Sequence, residues 1–288
     1  MRIGLLTSEI RQCANTNDLF KTMAKYGFES TQLSFSSVPE ANFISTGQHE
    51  FPGQIDDRVI SIINESSKKH GVEITVCSGT FNMAHPDIEV REEGIRRFDG
   101  LAEAAQKLNA KFISLCTGTR CKEHLWRYHL DNSMPEAWTD MIGTIKKCVK
   151  IAERHDIILA VETEAATVVD TPEKARKMMD EVGSENLKMI MDCANLFRAG
   201  EAKRENVRRI VAHAFDVFGG DIVIAHGKDI TESDGIEFCP TGEGIVDYTQ
   251  FIELLRKHNY KGDMLLHGIY DESKLPYAYE TIKKAMNN

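Results

Sequence analysis

Residues 158–192 read ILAVETEAATVVDTPEKARKMMDEVGSENLKMIMD, and this stretch decides the fold. It begins with Ile158–Glu162 and ends with Leu187–Met191, two mainly apolar runs that are long enough for a buried strand but too short for a helix. Between them, Thr171-Pro172-Glu173 predicts the start of a helix, because a hydroxyl N-cap followed by proline is a helix-initiating pattern. The stretch therefore predicts a strand–helix–strand unit of a parallel sheet.

The same unit repeats along the chain. The other strand candidates are Ile3–Thr7, Ser30–Phe35, Ile74–Ser78, Phe112–Cys116, Ile222–His226 and Met264–His267. Intervening segments such as Glu92–Leu108 and Met141–Ala152 carry apolar residues three and four positions apart, which is typical of amphipathic helices. Eight strands joined by helical crossovers indicate a closed parallel barrel. No glycine-rich nucleotide motif follows the first strand to favour an open doubly wound sheet, and no linker divides the chain. We therefore predict an α/β fold, a (β/α)₈ TIM barrel, as a single domain of residues 1–288.

Composition excludes several classes of function. The formal net charge of -9, without any block of Lys or Arg, argues against nucleic-acid binding, which needs a basic surface. No apolar run approaches the ~20 residues of a membrane span, and the N-terminal run is too short for a signal peptide. Seven scattered cysteines without a CxxC pair favour reduced thiols and a cytoplasmic location. Exposed helical faces are compatible with a homo-oligomer, either a dimer or a tetramer.

Metal-binding side chains end the last four predicted strands: Glu162, Asp192, His226 and His267. The carboxyl ends of barrel strands surround one mouth, so we expect these side chains to converge. Two carboxylates and two imidazoles suit one divalent metal ion, with Mn²⁺ or Zn²⁺ favoured over Co²⁺, Fe²⁺ or Mg²⁺. Each residue alone is more often a salt-bridge partner, an N-cap or a structural histidine. Four on consecutive strands favour a metal site, because buried charges are costly without partners.

These motifs resemble the xylose isomerase-like barrel superfamily of sugar isomerases and epimerases, which also includes endonuclease IV. The resemblance is carried by VETE at 161–164, MDCAN at 191–195, HGKD at 226–229 and the loop GEGIVDY at 242–248. FNMAHPD at 81–87 and TGTR at 117–120 resemble the branch known as sugar phosphate isomerase/epimerase. The resemblance covers essentially the whole chain. It implies a metal-dependent isomerase or epimerase that acts on a sugar, a sugar phosphate or a related polyol through an enediolate.

One residue departs from the family pattern. Ketose epimerases of the family use two glutamates as metal ligands and proton carriers, and the second stands at the end of the eighth strand, where this chain has His267. A neutral imidazole can bind a metal and can also act as a base near pH 7. We therefore predict Glu162, His267 and Lys228 as the residues that carry the chemistry, with Lys228 neutralising an enediolate oxygen.

Three other functions stay open. A lyase or dehydratase can use the same enolate, and a non-catalytic sugar sensor can keep the barrel without the chemistry. An endonuclease IV-like repair enzyme is disfavoured by the acidic charge and by the presence of only two ligand-like histidines.

The longest irregular stretches, at 36–54, 79–87, 117–135 and 229–247, all follow strand ends, and long loops are usually functional. From these loops and the strand ends we predict four substrate-binding residues: His85, Arg120, Trp126 and Asn195. Arg120 can bind a carboxylate or a phosphate bidentately. Structural roles remain open, with Arg120 pairing with Glu123, Lys228 pairing with Asp229 or Glu162, and Trp126 anchoring its loop.

Overall fold

Eight parallel strands form a closed barrel in the computed structural model, which describes residues 1–288. In chain order the strands are β1 (Ile3–Leu6), β2 (Ser30–Leu33), β3 (Glu73–Ser78), β4 (Phe112–Cys116), β5 (Ile158–Glu162), β6 (Leu187–Asp192), β7 (Ile222–Gly227), β8 (Asp229–Ile230), β9 (Phe238–Cys239) and β10 (Met264–Leu266). The short strands β8 and β9 form an antiparallel hairpin outside the barrel, and β10 closes the barrel against β1. The predicted (β/α)₈ barrel is confirmed.

Eight helices surround the barrel: α1 (Thr16–Lys25), α2 (Asp57–His70), α3 (Ile88–Lys107), α4 (Pro135–Arg154), α5 (Pro172–Val182), α6 (Arg204–Phe218), α7 (Tyr248–Lys257) and α8 (Leu275–Asn287). The predicted start of α5 is confirmed, since the Thr171 side chain accepts a hydrogen bond from the Lys174 amide and Pro172 follows it. No helix has the length and the hydropathy needed to cross a membrane.

A small apolar layer fills the barrel interior. It consists only of strand residues, namely Val76, Ala160, Ile190, Ile224 and Leu265. Because side chains alternate along a strand, the residue two positions further on faces the interior again, one layer closer to the carboxyl-end mouth. On the last four barrel strands these residues are Glu162, Asp192, His226 and His267. The fold therefore delivers all four predicted metal ligands to the same mouth.

Two register shifts adjust which side chains face each other across the barrel. On the β6–β7 pair the register shifts between Met189 and Ile190, and this brings Asp192 opposite His226. On the β2–β3 pair it shifts between Thr31 and Gln32, and Gln32 then pairs with Val76 of the interior layer. Bulges of this kind are common beside functional sites, where they redirect a side chain. Both shifts lie directly beneath the carboxyl-end mouth.

The helix α3 offers a matched pair of glycines that tests the packing of the loop after β3. A Cβ at Gly94 would overlap the fully buried ring of Phe81, whereas nothing lies within 4 Å of a Cβ at Gly100. We expect Gly94→Ala to lower the free energy of unfolding by about 1–3 kcal/mol through overpacking. Gly100→Ala should raise it by about 0.5–1 kcal/mol, because alanine is the better helix former. Urea unfolding of both variants measures the difference, and equal values would contradict this packing.

Candidate metal centre

The four predicted ligands form a compact cluster at the mouth of the barrel. One donor atom from each of Glu162, Asp192, His226 and His267 lies within 4.8 Å of all the others. Nε2 of His267 is 2.9 Å from Oδ2 of Asp192, and Nδ1 of His226 is 3.3 Å from Oε1 of Glu162. Ligands about 2.0–2.2 Å from one cation stand roughly 3–4 Å from each other. The donor set and its spacing therefore fit a single divalent cation.

The charges of the cluster are set by burial and by Lys228. Burial opposes ionisation of Asp192, but the ammonium of Lys228 at 3.6 Å and the hydrogen bond to His267 lower the pKa of this carboxyl. Burial lowers the pKa of His267 despite that hydrogen bond, which favours the neutral imidazole that binds metals. Burial would also lower the pKa of Lys228, but the carboxylates of Asp192 and Glu162 raise it, and the side chain remains charged.

Asn195 connects the lysine to the glutamate. Its amide nitrogen donates to Oε1 of Glu162 at 2.8 Å, and its oxygen accepts from Nζ of Lys228 at 2.5 Å. Lys228 also stands 3.7 Å above the ring of Phe238, on the β9 strand of the hairpin. The other carboxylate oxygen of Glu162, Oε2, has only the thiol of Cys116 beside it, at 3.9 Å. One oxygen of Glu162 is thus held in place, and the other is free to accept a proton.

A polar cavity of about 220 Å³ opens over the cluster. Its lining residues are Leu6, Ser8, Gln32, Ser34, Ser36, Glu50, Ser78, Thr80, Ser114, Leu115, Cys116, Trp126, Glu162, His226 and His267. No Lys or Arg is among them. Trp126, 42% exposed, lies at the rim and is the predicted substrate-binding residue that lines the cavity. Asn195 contacts the cluster from behind, through Glu162.

The structure does not bring His85 and Arg120 to the cavity. The guanidinium of Arg120 pairs with Asp140 of α4 at 2.6 Å and donates to the carbonyl of Ala84 at 3.1 Å, rather than pairing with Glu123. The buried ring of His85 accepts a hydrogen bond from the amide of Asp87, just before α3. His85 lies where the loop after β3 meets α3, and Arg120 connects the loop after β4 to α4. Neither side chain lines the cavity in which substrate-binding residues were predicted.

Several residues of the mouth were not predicted from the sequence. Gln32, Ser78 and Ser114 come from β2, β3 and β4, opposite the metal ligands, and Glu50 projects from the loop after β2. A glutamine inside a buried strand is unusual, and this residue type was the sequence feature that could have indicated a functional role for Gln32. Without the register, however, nothing in the local pattern shows that Gln32 faces the barrel interior.

Glu9 braces the segment that follows His267. Its buried carboxylate accepts hydrogen bonds from the amides of Gly268 and Ile269, each at 2.9 Å. Gly268 adopts a φ of 73°, and a Cβ there would press against the aliphatic chain of Lys228. This turn therefore needs glycine, and it fixes the backbone that carries the fourth ligand.

Fold and site together define an α/β barrel whose strand ends carry a compact cluster of four side chains that can hold a divalent cation. A family model described as xylose isomerase-like TIM barrel matches residues 20–286, and the chain belongs to this family. Inosose dehydratase from Glaesserella parasuis serovar 5 (strain SH0165) is 21% identical over an alignment of 237 positions, with 77% of this chain and 78% of that protein covered.

Two solved structures share the fold along nearly the full length of the chain. A D-tagatose 3-epimerase-like protein superposes with a TM-score of 0.77 at 18% identity, covering 100% of this chain and 97% of the other. IOLI protein, solved with a zinc atom bound, gives a TM-score of 0.71 at 16% identity, covering 99% and 96%. At these identities the similarity concerns the fold.

Two glutamates on the same segment provide a test of the metal centre. Glu162 belongs to the cluster, whereas Glu164 lies outside it and accepts a hydrogen bond from the amide of Ala166 at 3.3 Å. We expect the purified protein to bind about one divalent ion per chain. Glu162→Gln should lose most of this metal because an amide is a weaker ligand than a carboxylate, and Glu164→Gln should keep it. Elemental analysis after dialysis measures both, and equal metal contents would argue against the assignment.

Proposed function

We propose that this chain is a divalent-metal-dependent isomerase or epimerase that acts on a sugar or a related polyol through an enediolate. The observation that carries the proposal is the arrangement at the mouth of the barrel. Four metal-ligating side chains converge beneath a small polar cavity, and one of them, Glu162, has a carboxylate oxygen without a strong hydrogen-bond donor. Membership of the xylose isomerase-like family supports the same chemistry.

Each side chain then has a distinct task. A divalent cation held by the four ligands supplies polarisation of a substrate carbonyl and its neighbouring hydroxyl. Oε2 of Glu162 removes the proton beside the carbonyl, while Asn195 holds Oε1 and fixes the direction of the carboxylate. Protonated Glu162 can then return this proton to the neighbouring carbon of the enediolate, while the neutral imidazole of His267 would hold the cation. The Lys228 ammonium, 3.6 Å from Asp192, adds positive charge behind the ligands and so favours the anionic enediolate.

The lining favours an unphosphorylated substrate. Hydroxyl groups from Ser34, Ser78 and Thr80 can exchange hydrogen bonds with substrate hydroxyls, and no cationic side chain lines the cavity. Arg120, the predicted phosphate ligand, is paired with Asp140 instead. The cavity is also smaller than the ~300–1,000 Å³ pockets that hold drug-sized ligands. A free ketose or a cyclic polyol ketone therefore matches the site better than a sugar phosphate.

A dehydratase acting on a sugar-like substrate is the second candidate, and a specific feature favours it. The site lacks a pair of carboxylates that could exchange protons on both faces of the substrate, since the residue that follows the eighth barrel strand is His267. Oε2 of Glu162, which has no strong hydrogen-bond donor, can instead remove the proton and pass it to a hydroxide departing from the same face, so that one water leaves. The similarity to inosose dehydratase points in the same direction.

We propose Zn²⁺ or Mn²⁺ as the cation, because two imidazoles with two carboxylates suit these ions and zinc is named for the IOLI structure. We also propose that the chain works as a single domain, since one hydrophobic cluster includes residues from Ile3 to Ala285. A cytoplasmic location, the lack of a nucleic-acid partner, and a dimer or tetramer remain predictions.

Proton exchange measures the proposed chemistry directly. Metal-stripped protein, reconstituted with Zn²⁺ or Mn²⁺, is incubated in D₂O with a panel of free ketoses and cyclic polyol ketones. We expect metal-dependent incorporation of deuterium beside the carbonyl, and Glu162→Gln should abolish it because both the base and a metal ligand are lost. A product of unchanged composition apart from deuterium identifies the isomerase or epimerase, whereas loss of one water identifies the dehydratase. Full exchange activity in metal-stripped protein would contradict both.

Substrate charge gives a separate prediction. We expect kcat/KM for a free substrate to exceed that for its phosphate ester by about 100-fold or more, because like charges placed together cost several kcal/mol. Glu50→Gln should narrow this ratio, since Glu50 is the carboxylate of the outer lining. Glu123→Gln, on an exposed neighbouring loop outside the cavity, is the control and should leave the ratio unchanged. If the unmodified protein preferred the phosphate ester, the proposal of an unphosphorylated substrate would be wrong.

A further inference from the structure

Gln32 stands where a buried strand would ordinarily carry an apolar residue. It is 5% exposed, and its strand β2 lies across the barrel from the metal ligands. The register shift on the β2–β3 pair falls between Thr31 and Gln32, so β3 contributes one extra residue, Thr75, at this point. The register shift at this step determines how close to the carboxyl-end mouth the Gln32 side chain enters the barrel interior.

A chain of hydrogen bonds runs from two serines through Gln32 to a metal ligand. The amide nitrogen of Gln32 is 3.0 Å from the hydroxyl oxygen of Ser78 and 3.0 Å from that of Ser114. Its oxygen is 3.0 Å from Nε2 of His226. The two hydroxyls thus accept both amide hydrogens, and the amide oxygen is left facing the imidazole.

This orientation decides which ring nitrogen of His226 carries the proton. A carbonyl oxygen accepts hydrogen bonds but cannot donate them, so Nε2 must be the protonated nitrogen. In the neutral ring Nδ1 then keeps its lone pair for a cation, and it is the nitrogen that faces Oε1 of Glu162 at 3.3 Å within the ligand cluster. With the amide reversed, its N–H groups would face Nε2, the proton would move to Nδ1, and the lone pair would be lost from the cluster.

We propose that Gln32 is a positioning residue of the metal centre, which holds His226 in the tautomer whose Nδ1 can bind the cation. This inference rests on the proposed metal-dependent function. Gln32 also lines the cavity, but its effect on the metal is exerted through His226. Partners that orient a metal-binding histidine typically change metal affinity by 10–100-fold when they are removed.

The test compares three variants of the metal-stripped protein by calorimetric titration with Zn²⁺. Gln32→Leu removes the acceptor, and we expect its affinity for Zn²⁺ to fall by about 10–100-fold. Gln32→Glu keeps an acceptor oxygen toward Nε2 and should retain the affinity. Thr31→Val is the matched control, since the neighbouring buried residue loses a hydroxyl that bonds to the carbonyl of Leu5 rather than to the site. Equal affinities for Gln32→Leu and Thr31→Val would overturn the proposal.

The tautomer provides a second measurement, which does not depend on turnover. Nitrogen-15 NMR of the histidine rings in the Zn²⁺-loaded wild-type protein should show His226 protonated at Nε2 and metal-bound through Nδ1, with His226→Gln used to assign the signal. A proton on Nδ1 would overturn the proposal even if Gln32→Leu fails to fold. If the tautomer and the affinity change are as expected but no polyol is turned over, the proposed reaction fails while the role of Gln32 stands.

Discussion

The alternation of side chains along parallel strands is the constraint on which this site depends. The interior layer is apolar at Ala160, Ile190, Ile224 and Leu265, and two positions further along each strand the chain places a metal-capable side chain. The stagger of the barrel strands brings these four positions to one mouth: Asp192 is paired with His226, whereas Glu162 is paired with Ile190 and His226 with Leu265. A shift of one residue on any of these strands would turn its ligand toward the helices.

Charged groups can be buried here because they neutralise one another. Asp192 is 1% exposed and Lys228 6% exposed, and their charges lie 3.6 Å apart. Asn195 extends this pair to Glu162, since its amide nitrogen donates to Oε1 of Glu162 and its oxygen accepts from Lys228. The hydroxyl-rich half of the mouth reaches the same cluster through Gln32. The metal centre is therefore supported from both sides of the barrel.

The sequence predicts the barrel and the ligand cluster because both follow from local patterns. Each ligand comes directly after an apolar run, and the closure of the barrel brings the four strand ends to one mouth. Gln32 was not predictable, since its direction depends on a register shift between two strands that no local pattern encodes. Arg120 illustrates the opposite problem. Its partner Asp140 lies on the following helix, and the nearer Glu123 was the only partner that proximity in sequence suggested.

The replacement of a carboxylate by His267 changes the electrostatics of the proposed reaction. Glu162 and Asp192 carry two negative charges, Lys228 one positive charge, and the neutral His267 none. With a divalent cation the cluster has a net positive charge of one, whereas a third carboxylate would make it neutral. A positive site stabilises an enediolate more than the uncharged ketone from which it forms. With His267 in this position the site has one proton-carrying carboxylate fewer, but its net positive charge stabilises the enediolate. Both the isomerase and the dehydratase reactions require this anionic intermediate.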